Sequence, residues 1–204
     1  MLQQFYEKDK IELGIDEAGR GCLIGPVCVA GVILGDISNP PPYEIKDSKK
    51  CSPKIRKVLK DYIVNHSIAY HVQFISEKEI DKINILQATL KGMTLCVDEI
   101  RKQIEIDRIL VDGNHFSIYL TEDFDPIPHQ CIPQGDNKYM NIAAASILAK
   151  EYRDEYMTQL THENKELNHY DILNNKGYGT KKHKLGIQKY GLTHWHRQSF
   201  SFKI

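Results

Sequence analysis

The chain predicts an α/β layer: a mixed β-sheet with an antiparallel start, flanked by helices. Three observations predict it. Apolar runs of strand length stand at 11–16, 26–34, 68–75 and 108–112. Segments with apolar residues at helical spacing separate the later runs. Only residues 17–25 join the first two runs, which suits a hairpin-like antiparallel connection rather than a helical crossover.

The elements follow in order. The run at 11–16 (IELGID) is the first strand, closed off before Gly19. The run at 26–34 (PVCVAGVIL) is β-branched at Val27, Val29, Val32 and Ile33 and has no polar alternation, as in a strand buried on both faces. Asn39-Pro40-Pro41-Pro42 reads as a loop. Ser52-Pro53 opens a helix, with serine as N-cap and proline where a missing N–H costs nothing. Ile55, Val58, Leu59, Tyr62 and Ile63 carry its apolar face. IAYHVQFI at 68–75 is a third strand. Ser76 and Glu79 form a capping box that starts another helix. From Asn84 a long helix runs to about 103, with one stripe through Leu86, Leu90, Met93, Val97, Ile100 and Ile104. RILVD at 108–112 is a short buried strand ended by Gly113, and prolines restrict 126–133 to an edge strand. Asn141 begins an Ala-rich helix, and a further helix is expected at about 181–190. At 204 residues the chain is read as a single domain over 1–204, with a helical, basic C-terminal region at about 165–204.

Composition excludes several classes. With 41% hydrophobic residues and no net charge, the chain is not a disordered segment, and the totals exclude a strongly basic nucleic-acid coat protein. No apolar stretch reaches the roughly 18–20 residues that span a bilayer, and the polar N-terminus does not resemble a signal peptide. The five cysteines are scattered, with no CxxC, so free thiols in a reducing cytoplasm are expected. The neutral total hides an uneven distribution. Residues 172–204 carry seven basic residues and no acidic one, leaving 20 basic against 27 acidic elsewhere. A second basic run at 46–60 holds Lys46, Lys49, Lys50, Lys54, Arg56, Lys57 and Lys60 against Asp47 alone.

The chemistry sits where strands end. The first strand stops at Asp16-Glu17-Ala18-Gly19-Arg20-Gly21, and RILVD stops at Asp112-Gly113. Carboxylates that face each other at strand ends repel unless a cation lies between them, and an all-oxygen set favours Mg²⁺ or Mn²⁺. Successive strand residues point to opposite faces, so Asp16 and Glu17 reach one site only if the strand is ending there. Asp136, just before the Ala-rich helix, is a fourth carboxylate or a helix cap; Asp154, inside that helix, competes with it. Taken singly, Asp-Gly is a turn, Asp-Glu is surface charge and Gly-Arg-Gly is a flexible basic loop. Their conjunction with the basic segments points to metal-dependent phosphate chemistry.

Together these residues resemble the ribonuclease HII family, from about residue 11 to 200. DEAGRG at 16–21 with Gly25-Pro26-Val27 is similar to its opening signature, and Asp47-Ser48-Lys49-Lys50 to its DSKK segment. LVDG at 110–113 and Gly135-Asp136-Asn137-Lys138 resemble its next two acidic sites. AAASILAK at 143–150 with Arg153-Asp154, KGYGTKKH at 176–183 and the HRxSF tail at 196–200 complete the series. The departures are Cys22 where proline is usual, Tyr139-Met140-Asn141 for a Ser-rich stretch, a longer connection at 116–128, and residues 191–195 without the usual proline. The related ribonuclease HIII carries Lys where Arg20 stands and has an N-terminal domain, for which ten residues before the first strand are expected to leave no room.

The resemblance implies an RNase H-like fold. It implies hydrolysis of the RNA strand of RNA/DNA hybrids and incision 5′ of ribonucleotides embedded in duplex DNA, leaving 3′-OH and 5′-phosphate. It implies two divalent cations, Mg²⁺ or Mn²⁺, held by Asp16, Glu17, Asp112 and Asp136; Asp136 matches better than Asp154. It further implies that Gly19, Arg20 and Gly21 contact the ribonucleotide and that Tyr178 senses the RNA–DNA junction. Lys49, Lys138, Lys181 and Lys182 are expected on phosphates, in a cytoplasmic monomer that binds no membrane. Trp195, His194 and His196 are read as C-terminal packing. The alternative is a non-catalytic hybrid-duplex-binding protein of the same fold, with strongly salt-dependent affinity.

Overall fold

The computed structural model describes residues 2–35 and 40–201. Asn39 of the proline loop and Lys203 of the basic tail lie outside the described residues.

β1 (Glu12–Ala18) and β2 (Val27–Leu34) form the expected antiparallel pair. After a one-turn 3-10 helix at Ser48–Lys50 come α1 (Pro53–His66), capped by the Ser52 hydroxyl, and β3 (Ser67–Ile75). α2 (Glu77–Arg101) contains a break at Asn84, whose φ of 67° is non-helical; the Asn84 side chain accepts from Gln87 N and so restarts the helix. The capping signals at Ser76 and Asn84 therefore mark two real helix starts. β4 (Arg108–Asp112) leads to a hairpin of β5 (Tyr119–Leu120) and β6 (Pro126–Ile127), then to the edge strand β7 (His129–Ile132). α3 (Met140–Glu163) is the long Ala-rich helix. The basic region carries a 3-10 segment at Lys165–Tyr170, a single turn α4 (Ile172–Asn175) and α5 (Lys181–Tyr190).

The five-stranded sheet runs β3-β2-β1-β4-β7. β2 and β3 pair antiparallel, while β1–β4 and β4–β7 pair parallel. The sheet is buried on both faces. Cys28, Ala30 and Val32 pack against α1 and the alanines of α3; Leu13, Ile15, Val29, Ile109 and Val111 pack against Met93, Cys96, Val97 and Ile100 of α2. Gly14 explains how α3 sits so close. A Cβ there would lie 2.3 Å from the carbonyl carbon of Asn141, a separation no side chain tolerates. The Asn141 amide fixes the seat: it donates to Glu12 O at 2.6 Å and accepts from Leu34 N at 3.2 Å. Among the described residues no helix is long and apolar enough to cross a membrane.

Candidate active site

The parallel pairing of β1 and β4 places the carboxylates. Ile15 lies opposite Val111, so Asp16 and Asp112 emerge from neighbouring strands at the same end of the sheet. β1 continues through Ala18, two residues further than the sequence suggests, yet Asp16 and Glu17 still line one cleft. That cleft holds about 190 Å³ between Gly19-Arg20-Gly21, Ser48, Lys49, Ser146, Lys150 and Tyr178. Asp112 stands beside it and accepts from Gly135 N at 2.6 Å, which brings the Gly135–Asn137 turn and Asp136 to the same corner.

The carboxylates are in electrostatic conflict. Burial first, then the charges of Glu17 and Asp112, push Asp16 well above the usual carboxylate range. Burial also raises Glu17, against the pull of Arg20, whose guanidinium lies 3.3 Å from Glu17 Oε1. Asp136 is pushed up to about 6 by burial, by Asp112 and by Asp47. One oxygen of each is anchored: Asp16 Oδ1 accepts from Glu17 N at 2.7 Å, and Asp136 Oδ1 from Asn137 Nδ2 at 2.9 Å. Among the described residues Glu17 Oε2 is buried with no hydrogen-bond partner.

An oxygen-rich, mutually repelling set with an orphaned buried oxygen fits a hard divalent cation. Among the described residues no three His, Cys, Asp or Glu side chains already close on one point. The set is an open half-shell, which suits cations that keep waters and a phosphate oxygen among their ligands.

Asp154 does not join this set. It pairs with Lys150 at 2.8 Å and with Arg56 at 3.6 Å. Lys49 is close enough to Glu17 and Asp136 to oppose their raised affinity for protons. Lys138 is turned to Pro133 O at 2.8 Å, outside the cleft. Lys181 and Lys182 stand on the first turn of α5, also outside it, and Lys182 lies 3.7 Å from Asp171. Three of the seven basic residues in the 46–60 run, Lys46, Arg56 and Lys60, pair with carboxylates of the chain. Arg56 pairs with Glu151 at 2.6 Å, Lys60 with Glu155 at 2.5 Å, Lys46 with Glu44 at 3.6 Å, and Lys50 meets Asn137. A roomier cleft of about 510 Å³ between α1 and α3 is lined by these paired charges and not by the carboxylate set.

Three groups in the site escape the sequence reading. Asp47 caps its 3-10 turn by accepting from Lys49 N, and its charge is one of the causes that raise Asp136. Ser146 bonds both Ser48, at 3.0 Å, and the Asp16 carboxyl. Lys150, one turn along, sits 5.6 Å from the centre of the Tyr178 ring. Ser146 and Lys150 share a signal, their i,i+4 spacing along one face of α3, legible only once that face is known to abut Asp16.

Two buried arginines shape the glycine loop. Gly19 has φ +91°, and a Cβ there would lie 2.0 Å from Arg153 Nε. Arg153, 1% exposed, is pinned to Pro26 O, Lys176 O and Ile24 O at 3.0, 2.7 and 3.2 Å. Arg197, equally buried, donates to Gly25 O and Arg20 O, both at 2.9 Å.

Comparison with known proteins agrees with this architecture. The family model described as ribonuclease HII matches residues 13–203. Ribonuclease HII of Cytophaga hutchinsonii is 45% identical over 205 residues, covering 99% of this chain and 95% of that protein. A solved PCNA:RNase HII complex from Archaeoglobus fulgidus contains a chain with TM-score 0.73 and 24% identity, over 95% of this chain and 96% of its own. A Bst-RNase HIII solved in complex with Mn²⁺ has TM-score 0.63 and 18% identity, over 87% of this chain and 69% of its own. The fold is RNase H-like, and the binding-only alternative is set aside. A full-length match at this identity, on a fold that gathers carboxylates at the ends of β1 and β4, means that the chain belongs to the ribonuclease HII family and is an endoribonuclease.

Proposed function

We propose that this chain hydrolyses the RNA strand of RNA/DNA hybrids and incises 5′ of ribonucleotides embedded in duplex DNA, leaving 3′-OH and 5′-phosphate. Residues 1–204 act as one catalytic domain, in a cytoplasmic monomer. What supports it is that Asp16 and Glu17 open into one cleft under the glycine loop, with Asp112 near enough to raise both Asp16 and Asp136 and tied to the Asp136 turn through Gly135 N. These four would hold two divalent cations, Mg²⁺ or Mn²⁺. Cations bound there supply an acidified water and neutralise charge at the scissile phosphate.

The chain's own groups do the rest. Asp16, flanked by Glu17 and Asp112, is the ligand best placed to serve both ions. The Asp112 carboxyl, tied to Gly135 N, locks the Asp136 turn against β4. The backbone of Gly19, Arg20 and Gly21 approaches the ribose, where a 2′-hydroxyl is the group that separates RNA from DNA. Tyr178, 40% exposed and lining the same cleft, is the residue that senses the RNA–DNA junction. Lys49 and Lys150 line the cleft and serve the phosphates there, while Lys138, Lys181 and Lys182 contact backbone further along the duplex. Free thiols at all five cysteines agree with a reducing compartment.

The test is incubation of a DNA duplex carrying one ribonucleotide, and of a continuous hybrid, with Mg²⁺, Mn²⁺ or EDTA. Cation-dependent cutting 5′ of the ribonucleotide is expected. Cutting in EDTA, or on the 3′ side, refutes the proposal.

A further inference from the structure

Residues 193–199 lie outside the carboxylate cleft, yet two of its walls hang on them. The tail runs beside residues 23–25: Gly25 N donates to Trp195 O and Arg197 N to Leu23 O, both at 2.9 Å. On their other side, Leu23 N donates to Gly177 O at 2.8 Å, and Cys22 pairs with Tyr178. The segment 22–25 is thus held between the tail and the Tyr178 loop. Asp81, on the first part of α2, anchors the tail by accepting from Gln198 N, Ser199 N and Ser199 Oγ at 2.9, 2.9 and 2.6 Å.

Two side chains reach from this ribbon toward the cleft walls. Arg197 Nη1 donates to Arg20 O, the middle carbonyl of the glycine loop. His196 works through a second histidine. Tyr178 O can only accept, so His183 Nδ1, 3.0 Å away, carries the proton. Thr193 N donates to His196 Nδ1 at 3.0 Å, so that nitrogen is bare and His196 Nε2 carries its proton. The two Nε2 atoms lie 3.1 Å apart, with His196 donating and His183 accepting. Every link of the chain Thr193–His196–His183–Tyr178 is satisfied when both imidazoles are neutral, and both are fully buried. Burial lowers both, His196 to about 4, which keeps them neutral at working pH.

We infer that the tail segment 193–199 is a positioning element for ribonucleotide reading: Arg197 sets the glycine loop through Arg20 O, and His196 sets Tyr178 through His183. The inference rests on the proposal that these two loops meet the ribonucleotide. Arg197, His196 and His183 touch no substrate; they act through the backbone of residues that do.

The test measures kcat and KM with Mg²⁺ on the single-ribonucleotide duplex and the continuous hybrid, with melting curves for each variant of the full chain. Tyr178→Ala is the reference. Its selective loss on the single-ribonucleotide duplex supports the reading of Tyr178, and equal losses overturn that reading together with the histidine arm. Given selective loss, His196→Leu should lower the ratio of kcat/KM on the two substrates about tenfold, the worth of one buried hydrogen bond. His196→Gln can accept from Thr193 N and donate to His183, so it should restore most of that ratio. Arg197→Lys should lower kcat/KM about tenfold on both substrates, mainly through KM, because the glycine loop meets both. A folded His196→Leu with the wild-type ratio, or a folded Arg197→Lys with wild-type KM, overturns the inference. If either fails to fold, Asp81→Asn loosens the anchor without opening the core. Raised KM there supports the inference, and wild-type kinetics overturn it.

Discussion

The two glycines of the Gly19-Arg20-Gly21 loop should respond to alanine in opposite ways. At Gly19 the backbone has φ +91°, and a methyl would lie 2.0 Å from Nε, 2.5 Å from Cδ and 2.7 Å from Cζ of Arg153. A surface arginine would swing away. Arg153 cannot, because it is buried and bonded to three carbonyls. The left-handed backbone costs an alanine about 1–2 kcal/mol. Giving up one of the three charge-assisted bonds, with its carbonyl left unpaired, costs about 1.5–3 kcal/mol more. The total, about 3–5 kcal/mol, should lower Tm by roughly 10 °C in a chain of this size. At Gly21 a Cβ meets nothing within 4 Å and φ is not in the left-handed region. Gly21→Ala should leave Tm within about 2 °C, or raise it slightly by restricting the unfolded chain. Its methyl nevertheless stands at the cleft that Gly21 lines, so cleavage should fall. Thermal denaturation followed by circular dichroism, paired with the cleavage assay, separates the two. Equal melting temperatures for Gly19→Ala and wild type would show that Arg153 is free to move, and the stapled loop would be wrong.

Asp16→Asn should abolish Mg²⁺-dependent cleavage while leaving Tm in EDTA unchanged or higher, since it removes a buried carboxyl that Glu17 and Asp112 repel; retained cleavage would refute the ligand assignment. Tyr178→Ala should impair the single-ribonucleotide duplex about tenfold more than a continuous hybrid, judged from kcat/KM, on the worth of one stacked side chain. Stability should also fall in acid through the buried histidines. Unfolded histidine titrates near 6.5, whereas folded His196 is held down to about 4, so the unfolded state binds the proton first. The contribution is complete above about pH 6.5 and is lost as pH falls toward 4, about 3 kcal/mol in all. Urea midpoints of wild type and His196→Gln at pH 7 and 4.5 isolate it, and parallel losses in the two proteins would refute it.

The parts of this molecule that local rules govern are legible in the sequence. The proline and serine at 52–53, the capping signals at Ser76 and Asn84, and RILVD each fix an element by contacts within a few residues. The carboxylate positions are legible because strand ends are. Charge pairing is where local reading stops. Arg56 and Lys60 stand in a basic run, but Glu151 and Glu155, some 95 positions later, pair with them. No pattern within a window of sequence encodes that pairing. The same holds for Ser146 and Lys150, which gain their places only because α3 docks against Gly14. His196 was read as C-terminal packing. It is packed, and it is also joined to His183, 13 residues away, through a contact that neither residue's neighbours announce.

The site stores repulsion that its support must hold. The carboxylates are kept together against their own charge, and among the described residues Glu17 Oε2 is buried with no hydrogen-bond partner, as are Trp195 Nε1 and Arg197 Nη2 of the tail. Such an arrangement persists only where the surroundings leave it no alternative. Those surroundings are over-determined: Asn141 bridges Glu12 and Leu34, Arg153 binds three carbonyls, and Asp81 takes three donors from the tail. Most of these anchors sit on α3 or hold the tail, both in the C-terminal part of the chain. A nuclease site at residue 16 is therefore complete only after the last part of the chain has folded onto the first. Mutations in the tail should accordingly be read as active-site mutations even though none of its side chains lines the cleft.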